Sequence, residues 1–220
     1  MKKETEFNPV AAILDMDGLI LDTEKPIIPL WIKAGKSLGF DLDPEIISCT
    51  IGMNNPTTKQ FLKQELGPDY PVDLILEALH RLIIQEFEKG ISLKTGLIQL
   101  MDHLASRSIA VAVATSSNRE EAIWKLQIAK VLDRFPVIVC GDEIKNGKPA
   151  PDIFLLAAEK LGYPPSHCIG FEDSVAGLKG LHAAGIRSVF IKDIVEPSAE
   201  ILATVWRRLN DLSEAISLFN

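Results

Sequence analysis

The chain has 220 residues, of which 47% are hydrophobic and 24% charged, proportions of an ordinary globular protein and not of a disordered or collagen-like one. Its net charge of -7, with no concentrated Lys/Arg block, leaves no electrostatic footprint for nucleic acid or for an anionic membrane surface, so neither partner is expected. No apolar stretch reaches membrane-spanning length, and Cys49, Cys140 and Cys168 stand far apart without a CxxC, so the expectation is a cytoplasmic protein with reduced, buried cysteines and no zinc cluster.

The length suits one core domain, or a core carrying a small insertion. The first apolar run, residues 10–14, reads as a buried strand. Directly after it comes Asp15-Met16-Asp17-Gly18-Leu19-Ile20-Leu21-Asp22-Thr23-Glu24. Two carboxylates two residues apart point the same way if the strand continues, and the carboxyl end of a strand is where open parallel sheets hold their ligands. The alternative is an Asx-rich turn capping a helix, since Asp and Gly are common turn residues for local reasons.

About eighty residues then pass without another strand candidate, and residues 22–93 are helical in pattern throughout, strongest at 28–38, 57–66 and 72–87. Breaks at Gly52, Asn54, Asn55 and Pro56, and at Gly67, Pro68 and Pro71, separate the helices. This is read as an all-helical cap (22–93) inserted into a core made of residues 1–21 and 94–220. From residue 96 onward, apolar runs at 109–115, 137–140, 167–171 and 186–191 alternate with helical spacing at 96–105, 119–129, 151–161 and 175–184. Such alternation predicts an α/β fold, a Rossmann-like and mostly parallel sheet covered on both faces.

Three further polar clusters follow predicted strands. Thr115-Ser116-Ser117-Asn118 opens a helix, where hydroxyls and free N–H groups make a phosphate cradle; simple capping by Ser117 or Asn118 is the other reading. Lys148 lies in Gly147-Lys148-Pro149-Ala150-Pro151-Asp152, held by two prolines, and alone would pass for a solvated surface charge. Gly141 to Lys148 imitates a P-loop, but the spacer is one residue too long and Pro149 replaces the required Ser or Thr, so a P-loop NTPase is rejected. Glu172-Asp173-Ser174 offers oxygens to a hard cation, or else acids to the positive end of a helix dipole. All four clusters fall at the same end of the sheet. Gathering Asp15, Asp17, Glu172 and Asp173 there is repulsive unless cations are present, and magnesium together with Lys148 resolves the conflict.

The ordered set DMDGLILDTE, ATSSN, GKPAPDIF and GFEDSVAG, spread over nearly the whole chain, resembles the haloacid dehalogenase superfamily, in the branch of β-phosphoglucomutase-like enzymes and sugar-phosphate phosphatases. The resemblance implies a Mg2+-dependent phosphatase acting on a small phosphorylated metabolite, as a monomer or weak dimer. By it, Asp15 is the nucleophile that forms an aspartyl-phosphate, and Asp17 the acid that protonates the leaving oxygen and then activates water. Metal ligands would be the Asp15 carboxylate, the Asp17 backbone carbonyl and Asp173, with Glu172 supporting the metal through water or a neighbouring contact. Thr115, Ser116 and Lys148 would bind the transferring phosphoryl oxygens. Asp17 speaks against a dehalogenase or a phosphonate-cleaving enzyme, where that position is altered. A sugar-phosphate mutase is the enzymatic alternative, but Ile27 and Asn55 stand where β-phosphoglucomutases carry a cap His and a cap Arg. A noncatalytic phosphoryl sensor is disfavoured by the presence of Asp17, which a binding module does not need. In the cap, Asn54 and Asn55 are the candidates for substrate hydroxyls, turn formation being the other use of Asn. His80 and Arg81 are weaker candidates for an anionic group.

Overall fold

The structure is a computed structural model and describes residues 7–50, 53 and 55–219. Strands β1 (Ala11–Leu14), β2 (Ala110–Ala114), β3 (Val137–Val139), β4 (Cys168–Glu172), β5 (Arg187–Ile191) and β6 (Arg207–Leu209) form one sheet in the order β3-β2-β1-β4-β5-β6. Every pairing is parallel, and Leu14 lies level with Val113 on one side and Phe171 on the other. The central strands are buried on both faces, which explains why they read as unbroken apolar runs. Ala12, Leu14, Val111, Val113, Ile169 and Phe171 face one layer, while Ala11, Ile13, Ala112, Ala114 and Cys168 face the other.

Helices α1 (Glu24–Ser37), α2 (Pro44–Ser48), α3 (Asn55–Leu66) and α4 (Val72–Phe87) lie between β1 and β2. They close over an apolar centre of their own, with Leu30, Trp31, Ala34, Ile47, Leu62 and Ile75 buried in it. The chain leaves and re-enters the sheet side by side: Leu21 bridges antiparallel to Leu93, and the Asp22 N–H donates to the Ser92 carbonyl at 2.9 Å. Helices α5 (Leu97–Ser106) and α6 (Arg119–Ile128) cover the first layer, while α7 (Asp152–Leu161) and α8 (Val175–Ala183) cover the second. The short α9 (Ala199–Leu202) precedes β6.

Three details depart from the sequence reading. Helix α1 begins at Glu24 and runs through Pro29, because burial of Leu30, Trp31 and Ala34 outweighs the backbone bond that proline forfeits. Helix α3 begins at Asn55, not after Pro56: a proline in the first helical turn lacks only an N–H that has no partner there. Strand β6 escapes notice because it is three residues long and opens on Arg207 and Arg208, both exposed, as suits a charged sheet edge.

Connections from β1 run to β2 on one side and to β4, through the rest of the chain, on the other. The sheet order therefore reverses between β1 and β4, and a crevice opens at their carboxyl ends.

Candidate active site

Asp15 follows β1 at that reversal, and its backbone N–H donates to the Phe171 carbonyl of β4 at 3.1 Å, which ties the residue to both strands. Thr115 follows β2, the loop carrying Lys148 follows β3, and Glu172 ends β4 with Asp173 next. A single cavity of about 470 Å³ is lined by Asp15, Asp17, Thr115, Ser116, Lys148 and Asp173, together with residues of α1, α3 and α4. Glu172 is fully buried behind that wall. Asn54 lies outside the described residues, and of Asn55 only the backbone, at the first position of α3, is described. His80 and Arg81 are exposed and do not line the cavity; Arg81 pairs with Glu77 at 2.8 Å.

Lys148 is no solvated surface charge. Its side chain is 3% exposed and its ammonium donates to both the Asp15 and Glu172 carboxylates. The ammonium also lies 5.0 Å from the centre of the Phe154 ring. Burial works against its charge, but the two carboxylates outweigh burial and push its pKa upward. The Lys148–Pro149 peptide is cis.

Glu172 is an anchor. Its Oε1 accepts from Lys148, while Oε2 accepts from the N–H groups of Asp173 at 3.1 Å and Ser174 at 3.0 Å and from the Ser174 hydroxyl at 2.9 Å. Ser174 in turn caps α8, accepting from the Gly177 N–H at 3.0 Å. A serine cap and a buried acid thus stand together where α8 begins.

Asp17 is held from three directions. Oδ1 accepts from the Thr23 hydroxyl at 2.8 Å and from Lys125 at 2.9 Å, and Oδ2 accepts from Ser117 at 3.1 Å. Thr23, a residue type suited to capping, makes no cap bond at the start of α1 and serves Asp17 instead. Burial alone would raise the Asp17 carboxyl, but Lys125 and the hydroxyl donors hold it below the usual carboxylate range. Asn118 caps α6, accepting from the Glu121 N–H at 2.9 Å, which frees Ser117 for Asp17 and leaves Ser116 on the cavity wall. Thr115 is 1% exposed, and its hydroxyl oxygen accepts from the Ser117 N–H at 3.1 Å.

Sequence reasoning passed over Lys125 and gave Glu24 no role. Lys125 is 4% exposed and also pairs with Glu121 at 2.7 Å. Part of the signal was available: Glu121 and Lys125 stand four residues apart in the helix that follows Ser117, so they share one face. Glu24 is buried in the cavity wall, where burial, with the Asp17 charge adding, raises its pKa to about 7.

Carboxylate oxygens of Asp15, Glu172 and Asp173 gather within 4.8 Å of one another. Burial and the neighbouring acids push the Asp15 and Asp173 carboxyls well up, with Lys148 opposing at Asp15. Asp173 Oδ1 is buried with no hydrogen-bond partner. Gly18, at φ 82°, passes so close to the Asp173 carboxylate that any Cβ there would collide with it. A hard dication taking oxygen ligands fits this donor set, since it would satisfy the orphaned oxygen and offset the crowding of acids.

The profile of the family described as haloacid dehalogenase-like hydrolase matches residues 12–191. A phosphorylated carbohydrates phosphatase of Thermotoga maritima is 28% identical over 214 residues, covering 94% of this chain and 99% of its own. The protein CbbY of Rhodobacter capsulatus is 32% identical over 218 residues, covering 93% and 94%. The crystal structure of a β-phosphoglucomutase from Clostridium difficile superposes with a TM-score of 0.79 at 24% identity, covering 94% of this chain and 92% of that one, a likeness of fold. With the Asp15 carboxylate at the sheet's reversal and a family profile spanning most of the chain, the protein belongs to the haloacid dehalogenase-like hydrolases.

Proposed function

We propose that the chain is a Mg2+-dependent phosphatase that hydrolyses small phosphorylated metabolites, sugar phosphates or nucleotide-like monophosphates, through an aspartyl-phosphate on Asp15. The observation that carries this reading is the arrangement of Asp15 at the β1–β4 reversal, paired with Lys148, beside Thr115 and Ser116 and two residues before Asp17. The names of the relatives support phosphorylated carbohydrates as substrates.

The chemistry divides into two steps. An Asp15 oxygen attacks phosphorus, the P–O bond to the alcohol breaks, and the alcohol oxygen takes a proton from Asp17. Water then attacks the phosphorus while Asp17 takes its proton, the P–O bond to Asp15 breaks, and phosphate leaves. Lys148 holds Asp15 in position and neutralises charge as it moves onto the phosphoryl oxygens; Thr115 and Ser116 donate to those oxygens. In the geometry described, Asp17 accepts from Lys125, Thr23 and Ser117, which favours its base form, so to act as the acid it must first take up a proton. The Asp15 carboxylate, the Asp17 carbonyl and Asp173 would hold Mg2+, with Glu172 behind them keeping Lys148 and the start of α8 in place. Bound there, the dication supplies positive charge to the phosphoryl group as negative charge builds up on it.

Ile27 lines the cavity and offers no imidazole, which favours hydrolysis over the mutase reading. No described helix is long and apolar enough to cross a membrane, and all three cysteines are free thiols, Cys140 and Cys168 buried but Cys49 exposed against the expectation of burial; we place the enzyme in the cytoplasm. Phosphate release from a panel of sugar phosphates and nucleoside monophosphates tests the function. Release by the intact protein with magnesium is expected, with loss on chelation and in Asp15→Asn; a variant that keeps near-normal turnover refutes the nucleophile.

A further inference from the structure

The cavity has two chemically different ends. Asp15, Thr115, Ser116 and Lys148 form the polar end on the sheet. The opposite wall, contributed by α1 and α4, consists of Ile27, Ile28, Trp31, Leu76, Leu79 and Ile83, and Met53 adds a thioether from the loop between α2 and α3. Polar groups on this side are Thr50, whose hydroxyl is already donated to the Ile47 carbonyl at 2.7 Å, and Thr58; Glu24, the first residue of α1, lies towards Asp17 and Lys125.

Cations are missing from that wall. Among the described residues, no Lys, Arg or His between 24 and 87 lines the cavity, and positions 51, 52 and 54 are Ile, Gly and Asn. Lys59 and Lys63 are drawn to Asp73 at 2.6 and 3.8 Å, and Arg81 to Glu77. Of the cations on the sheet side, Lys148 and Lys125 already serve carboxylates. Lys145, exposed on the same loop as Lys148 and three residues before it, lines the cavity from the loop after β3 and not from α1 or α4. An anionic group held against α1 and α4 would therefore be desolvated by apolar side chains, with no counter-charge from that wall.

We propose that the leaving group is a neutral alcohol that presents an apolar face to Trp31 and the surrounding aliphatic side chains, and that the site discriminates against esters with a second phosphate at the far end. This deepens the phosphatase reading and rests on it. Once the phosphoryl group is anchored at Asp15 and Lys148, the wall gains affinity from every carbon it removes from water. A cavity of about 470 Å³ suits a phosphoryl group with one ring or a short chain attached.

The test compares kcat/KM, with magnesium, for ethyl, butyl and hexyl phosphate, and for hexyl phosphate against hexane-1,6-diol bisphosphate. A rise of at least about tenfold from ethyl to hexyl is expected, as is at least about tenfold discrimination against the bisphosphate, the scale on which apolar pockets distinguish methylenes. Trp31→Ala should collapse the hexyl-to-ethyl ratio. Ile28→Arg, at a half-buried position, should shift the ratio of bisphosphate to monophosphate upward by a similar factor. Equal kcat/KM along the alkyl series, or a preference of the intact protein for the bisphosphate, overturns the inference; turnover that still disappears in Asp15→Asn would then leave the phosphatase standing. No phosphate release from any ester in this or the metabolite panel removes both.

Discussion

Glu24 is 8% exposed and carries a carboxyl with a pKa near 7, against an ordinary 4.5, because burial and the Asp17 charge disfavour its ionised form. An acid whose folded pKa is raised binds its proton more tightly in the native state. Its contribution to stability is therefore greatest below pH 4.5, declines as pH rises from 4.5 to about 7, and stays low above that. Glu24→Gln should abolish this decline and so lose less stability between pH 4.5 and 8 than the parent chain, by on the order of 3 kcal/mol at most. Urea midpoints measured across that range in chelator would show it; parallel curves for the two proteins would refute the perturbed carboxyl. At the same scale, Lys125 illustrates how a buried cation becomes tolerable. Asp17 and Glu121 together supply the counter-charge that burial removes, which is why its pKa is pushed up despite burial.

At the scale of elements, the start of α8 is built around a buried acid. Glu172 accepts from the first N–H groups after β4 and from Ser174, so the helix can begin only where its backbone passes directly over the carboxylate. Gly177 is the residue at that crossing, and a Cβ there would collide with the Glu172 carboxylate. Helix propensity alone predicts that Gly177→Ala stabilises by about 1 kcal/mol. Overpacking against a carboxylate fixed by Lys148, Ser174 and two N–H groups should win instead, with a net loss of about 1–2 kcal/mol. A urea midpoint above that of the parent would show that the clamp yields easily. The substitution should also lower turnover, because Glu172 and Lys148 position Asp15.

At the scale of the whole molecule, the crevice concentrates acid. Asp15 is pushed towards neutrality by burial and by the charges of Glu172 and Asp17, and Asp173 by burial and by those of Glu172 and Asp15, so the protein without metal bears a strain that a dication would relieve. Asp173→Asn should leave the metal-free protein at least as stable as the parent at pH 8 while abolishing its response to magnesium. For the parent, magnesium at about 100 times its dissociation constant should stabilise by about 2.7 kcal/mol. In thermal unfolding that is a rise of roughly 5–10 °C for a chain of this size. An unchanged melting temperature in the parent would contradict the assignment of the carboxylates to a cation.

The sheet, its parallel sense and the strand ends that carry Asp15, Thr115, Lys148 and Asp173 could be read directly from the chain. Strands buried on both faces must be apolar along their whole length, and the polar residues that end them stand out against such runs. The long helical break between β1 and β2 was visible for the same reason. Strand β6 was not, since a short edge strand answers to solvent on one side and keeps its arginines. Other features depended on distance in space and not along the chain. Lys148 meets Glu172 across 24 positions and Lys125 meets Asp17 across 108, so neither partnership leaves a local pattern. The apolar wall of the cavity that holds Asp15 and Lys148 was hidden because Ile27, Trp31, Leu76 and Ile83 follow the same helical periodicity whether they fill a core or face a cavity. Local chemistry and periodicity are properties of neighbouring residues, whereas counter-charges and cavity walls come from segments that only the folded chain brings together.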